Sequence, residues 1–179
     1  TNLLMNSRER ILAAINHQET DRIPMDLGAT PSSGISVVAF QNLIKHLGKD
    51  HLKTHVYDVI QEVAQPEMEF LDLFGVDVVD IGRNFNQIPG YWQELEIIKG
   101  YPGLYPSWFN PKKQNDGSWL AYNKNNLEVG RMPLGATFFD QTKFPYIDGY
   151  PTDYSKLNDD LGRTIWGSFG FTPWDWMDR

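Results

Sequence analysis

The sequence predicts an α/β protein, and three observations carry that prediction. A short apolar run, Asp21-Arg-Ile-Pro-Met-Asp-Leu-Gly-Ala-Thr30, follows an amphipathic helix and ends in a carboxylate and a glycine. A second run, Val76-Asp-Val-Val-Asp-Ile81, is too apolar to face water on one side, as expected of a parallel strand. Helical stretches flank both, and the order helix, strand, helix, helix, strand opens an α/β protein.

Each element has its own signal. Asn6 caps the first helix with Glu9 placed for a capping box, and Ile11, Leu12, Ala14 and Ile15 supply a buried stripe up to about His17. In the first strand Ile23, Met25 and Leu27 alternate with Asp26, and Gly28 lets the backbone turn sharply into a loop, Pro31 to Ser36. The second helix buries Val37, Phe40, Leu43, Ile44 and Leu47 and stops at Gly48. From His55, the spacing of Val56, Val59, Ile60 and Val63 predicts a helix, which Gln65-Pro66 breaks. A new helix begins there with Glu67 and Glu69 in its first turn, buries Met68, Leu71 and Phe74, and ends at Gly75.

Helical periodicity disappears from Gly90 to about Phe144. Tyr91-Trp92, Leu95 to Ile98, Ser118 to Tyr122, Leu127 to Met132 and Ala136 to Phe139 predict short strands, with Asn123 to Asn126 as a hairpin turn. The segment reads as an antiparallel insertion at about 90–144 in a single domain spanning 1–179, being too short for an independent core. Tyr154, Leu157, Leu161, Ile165 and Phe169 then space as one more amphipathic helix.

Composition excludes several function classes. With 41% hydrophobic and 13% aromatic residues, the 179-residue chain is globular and fills one core or part of a larger one. A net charge of −7 with dispersed Lys and Arg gives no footprint for nucleic acid or an anionic membrane surface, and a cationic or neutral small molecule fits better. The absence of cysteine removes disulfides, thiolate nucleophiles and cysteine–zinc sites within these residues. No run approaches a signal peptide or a membrane span, so the expected location is cytoplasmic.

In α/β folds the carboxyl ends of the strands do the chemistry. Asp26 and Gly28 stand at one such end, and Asp80, Arg83 and Asn84 at the other. Asp26 either binds substrate or caps the following loop, and Arg83 and Asn84 either reach an anionic group or serve as turn residues. His46, His51 and His55 span a helix end and a loop without i, i+4 spacing throughout and read as solvated surface before a metal cluster. His17 suits the carboxyl end of a helix dipole. Ser32, Ser33 and Ser36 have no His/Asp partner motif, and no phosphate-loop pattern occurs. Trp92, Trp108, Trp119, Tyr101 and Tyr105 either line a lid over a flat macrocycle or form the core of a small sheet.

Several of these stretches are familiar together. Met5-Asn-Ser-Arg-Glu-Arg-Ile-Leu-Ala-Ala-Ile-Asn-His-Gln-Glu19 with Asp21-Arg-Ile-Pro24, Ala64-Gln-Pro66 and Phe74-Gly-Val-Asp77 resembles the N-terminal part of the uroporphyrinogen decarboxylase superfamily. The nearest branch is that of corrinoid-dependent methyltransferases. The resemblance covers most of 5–82 and extends more loosely to the hairpin segment and Phe144-Pro-Tyr-Ile-Asp-Gly-Tyr-Pro151. It implies a (β/α)8 TIM barrel, which typically needs ~250 residues, so this chain is expected to form its first part. It also implies methyl transfer from a methylated corrinoid protein to a thiol or pterin acceptor, with zinc activating the thiol through His and Cys ligands in a later part of the barrel. Asp26, Gly28, Asp80, Arg83 and Asn84 then become cleft-wall residues.

Two departures weigh against tetrapyrrole decarboxylation, the same fold's other activity. The decarboxylases hold substrate carboxylates with arginines in the loop after the first strand, whereas here that loop is Gly28-Ala-Thr-Pro-Ser-Ser-Gly34. Their pyrrole-binding aspartate aligns near Asn84, with Asp80 a few residues earlier. A third expectation is a non-catalytic half-barrel that binds a corrinoid or a partner chain, the remaining barrel half or a second copy, because a truncated barrel exposes strand edges.

Overall fold

The computed structural model describes residues 4–80 and 89–170. Its secondary structure is mixed α/β, with two sheets and a few helices, and among the described residues no barrel closes.

Local chemistry explains the three N-terminal helices. Helix α1, Ser7–Ile15, starts on the expected capping box: Asn6 Oδ1 accepts from the Glu9 N–H at 2.9 Å while the Glu9 carboxylate accepts from the Asn6 N–H at 3.0 Å. Its buried side differs from the expected stripe. Arg10 and Ala13 are buried, whereas Leu12 and Ile15 are exposed, because the helix packs over a salt-bridge network instead of an apolar layer. After a 3-10 turn, Pro31–Ser33, comes the two-residue strand β1, Ile35–Ser36. Helix α2, Val37–His46, is capped by Ser36 Oγ, which accepts from the Ala39 N–H. It buries Val37, Phe40 and Ile44, while Leu47, just past its end, is exposed. Helix α3, Met68–Leu73, begins where Pro66 sets the chain and ends before Gly75, whose φ of 61° only a glycine adopts without cost.

The segment after His55 is not a helix. It forms strand β2, His55–Asp58, and strand β3, Val63–Gln65, paired antiparallel. Asp58 Oδ1 accepts from the Ile60 and Gln61 N–H groups at 3.0 and 2.9 Å, an Asx-type turn that ends one strand and starts the other. The spacing of Val56, Val59, Ile60 and Val63 fits a helix face, but all four are buried here because the turn, with both strands, lies inside the core.

The larger sheet has five strands in the order β1-β3-β2-β5-β4, with β4 at Trp92–Ile98 and β5 at Tyr101–Pro106. Only β2 and β5 run parallel. The smaller sheet is antiparallel, β6-β7-β8-β9, formed by Lys112–Lys113, Trp119–Tyr122, Glu128–Met132 and Asp140–Gln141. The Asn123–Asn126 turn closes as expected: Asn126 takes a φ of 57°, and Asn123 Oδ1 accepts from the Asn125 and Leu127 N–H groups. The strand expected over 136–139 falls instead at Asp140–Gln141, while Phe139 itself is buried in the core. The expected C-terminal helix shrinks to α4, Leu157–Leu161, followed by a π-helical turn, Trp166–Gly170. Residues from both sheets, from Val56 and Tyr105 to Val129 and Phe139, share one apolar cluster with α2 and α3.

Candidate functional site

The two runs expected as parallel strands meet, but over one step only. Asp26 and Val78 form a single parallel bridge, supported by the Asp77 N–H donating to the Met25 carbonyl at 2.8 Å. Ile23 and Met25 are exposed, at 85% and 42%, so the first run is not the buried strand expected from its sequence. Alternation in Ile23, Met25 and Leu27 reports a two-faced strand, and here one of those faces is uncovered.

The amino-terminal end of the pair is locked by charge. The Arg10 guanidinium forks onto Asp21 at 2.6 and 2.8 Å and reaches Asp77 Oδ1 at 2.5 Å, and it also bonds the Met5 carbonyl. Arg22 donates to both oxygens of Asp77, at 2.8 and 3.0 Å, and to the Gly75 carbonyl. Hydrogen bonds and charge from Arg10 hold Asp21 far below the usual carboxylate range, against the effect of burial. Burial pushes the Asp77 carboxyl up, but the Met25 N–H, Ser7, Arg22 and Arg10 together hold it down at about 2. The network is a structural clamp, since its charges satisfy one another.

The carboxyl end opens into the small-residue loop. Asp26 Oδ1 accepts from the Ala29 N–H at 3.1 Å, so this carboxylate does cap the loop; it is also exposed and able to meet a ligand. Gly28, at φ 93°, donates its N–H to the Ser33 carbonyl and lies so close to the Pro66 ring that an added Cβ would stand 3.2 Å from Cδ. Ser33 Oγ accepts from the Thr30 N–H. The loop then runs into β1, which pairs with β3 through Ile35↔Ala64 and Ser36↔Val63, pressing it against the β2–β3 hairpin. Asp80, half-buried, follows Val78 by two residues at the same end. Asp26, Gly28 and Asp80 thus share one end of the parallel pair, while Arg83 and Asn84 lie outside the described residues.

Gly34 makes this docking possible. A Cβ there would lie 2.3 Å from Val63 Cγ1, 3.1 Å from the Pro31 carbonyl and 3.3 Å from the Tyr57 hydroxyl. A short branched side chain and a backbone carbonyl have little room to retreat. Gly34→Ala is expected to lose about 1–3 kcal/mol by overpacking, read as a lower urea midpoint with an unchanged m-value.

Of the three histidines expected on a solvated surface, His46 and His51 are exposed but the third is buried, beside the loop. His55 is buried at 9% exposure, with its ring centroid 4.7 Å from that of Trp92 and its Nδ1 unbonded, 3.9 Å from the Glu67 carboxylate. Burial pushes its pKa down, so the ring is neutral; Glu67 opposes this and Lys53 adds to it. His51 instead pairs with Glu69 at 3.0 Å on the surface, and His17 takes a left-handed φ of 54° after α1, so the histidines do not converge. Among the described residues no three His, Asp or Glu side chains could hold a metal ion. The aromatics divide: Tyr105 is fully buried in the core, whereas Trp108 is 37% exposed and donates to the Tyr91 hydroxyl at 2.8 Å.

Compared with known proteins, the chain matches no family model, no curated protein and no solved structure. No described helix is long and apolar enough to cross a membrane.

Proposed function

We propose that this chain is the N-terminal part of a (β/α)8 barrel enzyme of the uroporphyrinogen decarboxylase type, acting in corrinoid-dependent methyl transfer. The observation that carries the reading is the parallel Asp26–Val78 bridge, with its ends chemically opposite: a closed Arg10–Asp21–Asp77–Arg22 clamp at one and an open loop with Asp26, Gly28 and Asp80 at the other. In a barrel the second end is where ligands bind.

The chemistry of that end suits a corrinoid better than a porphyrinogen. Asp26 and Asp80 are acceptors for the amide N–H groups around a corrin ring, whereas a carboxylate-rich tetrapyrrole meets like charge and a loop without arginine. Gly28, at a φ of 93°, turns the chain sharply after Asp26 and packs against the Pro66 ring, which sets the loop at this end. The methyl group would pass from a corrinoid carried by a partner protein to a thiol or pterin acceptor; these residues bind and orient, and zinc remains assigned to another part of the barrel.

A titration of the natively expressed protein with hydroxocobalamin, followed by absorbance, tests the reading. Saturable binding is expected, weakened about tenfold or more by Asp26→Ala or Asp80→Ala through loss of hydrogen bonds to charged acceptors. Unchanged binding in both variants removes these residues from the cleft, and conversion of uroporphyrinogen without corrinoid binding selects decarboxylation instead. The reading without catalysis is favoured by the exposed Ile23, Met25 and Val79 on the parallel pair, which suit cover by a partner chain. Corrinoid binding with no methyl transfer from methylcobalamin to a thiol would select it.

A further inference from the structure

The turn between β2 and β3 joins three parts of the molecule. The Glu62 carbonyl accepts from the Val37 N–H, the first residue of α2, at 2.9 Å. The Ile60 carbonyl accepts at 2.8 Å from the N–H of Phe139, beside the smaller sheet. The Glu62 side chain is fully buried, and its Oε2 accepts from the Tyr105 hydroxyl of β5 at 2.5 Å. Oε1 is equally buried and has no hydrogen-bond partner. The residue also takes a φ of 53°, a left-handed conformation that is uncommon outside glycine, Asn and Asp. A carboxylate in this position has one donor and no counter-ion, which water would supply far better.

We propose that Glu62 is a proton-dependent latch: as a neutral carboxylic acid it closes the joint between α2, the larger sheet and the smaller sheet, and losing the proton favours opening of that joint. The groups that act on its charge are Tyr105, facing it from β5, and Asp58, from the end of β2, whose negative charge also disfavours ionisation. The turn meets α2 and the smaller sheet through the main-chain N–H groups of Val37 and Phe139. Burial is the largest influence and, with Asp58, outweighs the Tyr105 hydrogen bond, so the carboxyl is pushed up from 4.5 to about 8.

The sign follows from which state holds the proton. The closed joint keeps it up to about pH 8 and the opened joint, with Glu62 in water, gives it up near 4.5, so opening releases one proton between those limits. The closed state is favoured most at low pH and loses about tenfold in its equilibrium constant per pH unit as pH rises through that window. Above it the dependence flattens.

Amide hydrogen exchange of the full chain between pH 5 and 9 tests the latch, after division by intrinsic exchange rates. Protection of the Val37 and Phe139 amides is expected to fall about tenfold per pH unit and level off near pH 8, while the Arg10 amide inside α1 shows no such slope. Glu62→Gln keeps an acceptor for Tyr105 and is expected to abolish the slope. Should that variant not fold, Tyr105→Phe removes the donor that stabilises the charged form, and the levelling-off point should move to higher pH. A Val37 and Phe139 protection independent of pH, or a slope unchanged in Glu62→Gln, or in Tyr105→Phe a levelling-off point that stays put, overturns the proposal.

Discussion

Replacing Asp77 by alanine is expected to destabilise the protein by about 3–5 kcal/mol, the scale found when one partner is removed from a buried ion pair. The Asp77 side chain has no exposed surface and receives Arg10, Arg22 and the Met25 N–H, so removing it takes a carboxylate partner from both guanidinium groups and the acceptor from a backbone donor. The loss extends beyond charge. Met25 belongs to the step that carries the Asp26–Val78 bridge, and Arg10 fixes α1 to the same place. Urea denaturation at neutral pH measures the effect, and a change below about 1 kcal/mol, as for an exposed salt bridge, would show that the clamp carries no weight. Asp77→Asn, which keeps the size but not the charge, separates the two contributions. The wild-type network also dictates an acid response. Because Asp77 is held down at about 2 while an unfolded aspartate titrates near 3.8, its contribution is fully present above 3.8 and is lost as pH falls from there toward 2.

How far the sequence foretold the fold depended on whether local signals stood alone. Helix α1 was legible from the Asn6–Glu9 box, and α2 from the spacing of Val37, Phe40 and Ile44, because capping and 3.6-residue periodicity are written within a few residues. The β2–β3 hairpin was misread because a tight turn buried on every side repeats the same spacing, and only the polar punctuation of Asp58 and Gln61 marked it. Strand β5 escaped notice for a different reason. Tyr101-Pro-Gly-Leu-Tyr-Pro106 carries two prolines and a glycine, which usually announce turns, yet Pro102 sits where the pairing with β4 shifts register between Leu95 and Ile98, so its missing N–H interrupts no regular ladder. The site was half legible. Asp26 and Gly28 were named from their place after an apolar run, whereas His55 was read as solvated surface and Glu62 was not named, because Trp92 and Tyr105, which bury them, lie far away in sequence. Glu62 is the lone acid in Val59-Ile-Gln-Glu-Val-Ala64, and the helical spacing of Val56, Val59, Ile60 and Val63 left it out.

Phe40→Ala is expected to cost about 3–5 kcal/mol, the range for truncating a fully buried phenylalanine. The ring has no exposed surface and meets Phe70 of α3 edge-on, with centroids 5.0 Å apart and an interplanar angle of 65°. Phe70 in turn lies 4.8 Å from Phe74. One side chain of α2 thus joins both helices to the sheet, and its removal leaves a cavity bordered by elements that cannot collapse independently, since the Ser36 cap and the Val37–Glu62 hydrogen bond fix the start of α2. Leu47, at the far end of the same helix, provides the contrast. At 39% exposure, its replacement by alanine should change stability by no more than about 0.5 kcal/mol. Equal urea midpoints for the two variants would mean that the apolar face of α2 is not what holds it. A large loss confined to Phe40→Ala, with the Asp77→Ala loss adding to it in the double variant, would mean that the clamp under the parallel pair and the aromatic core are independent supports. That independence matters for the proposed site, because its loop hangs between them: Asp26 and Gly28 follow the clamped strand, and Gly34 leads through β1 into α2.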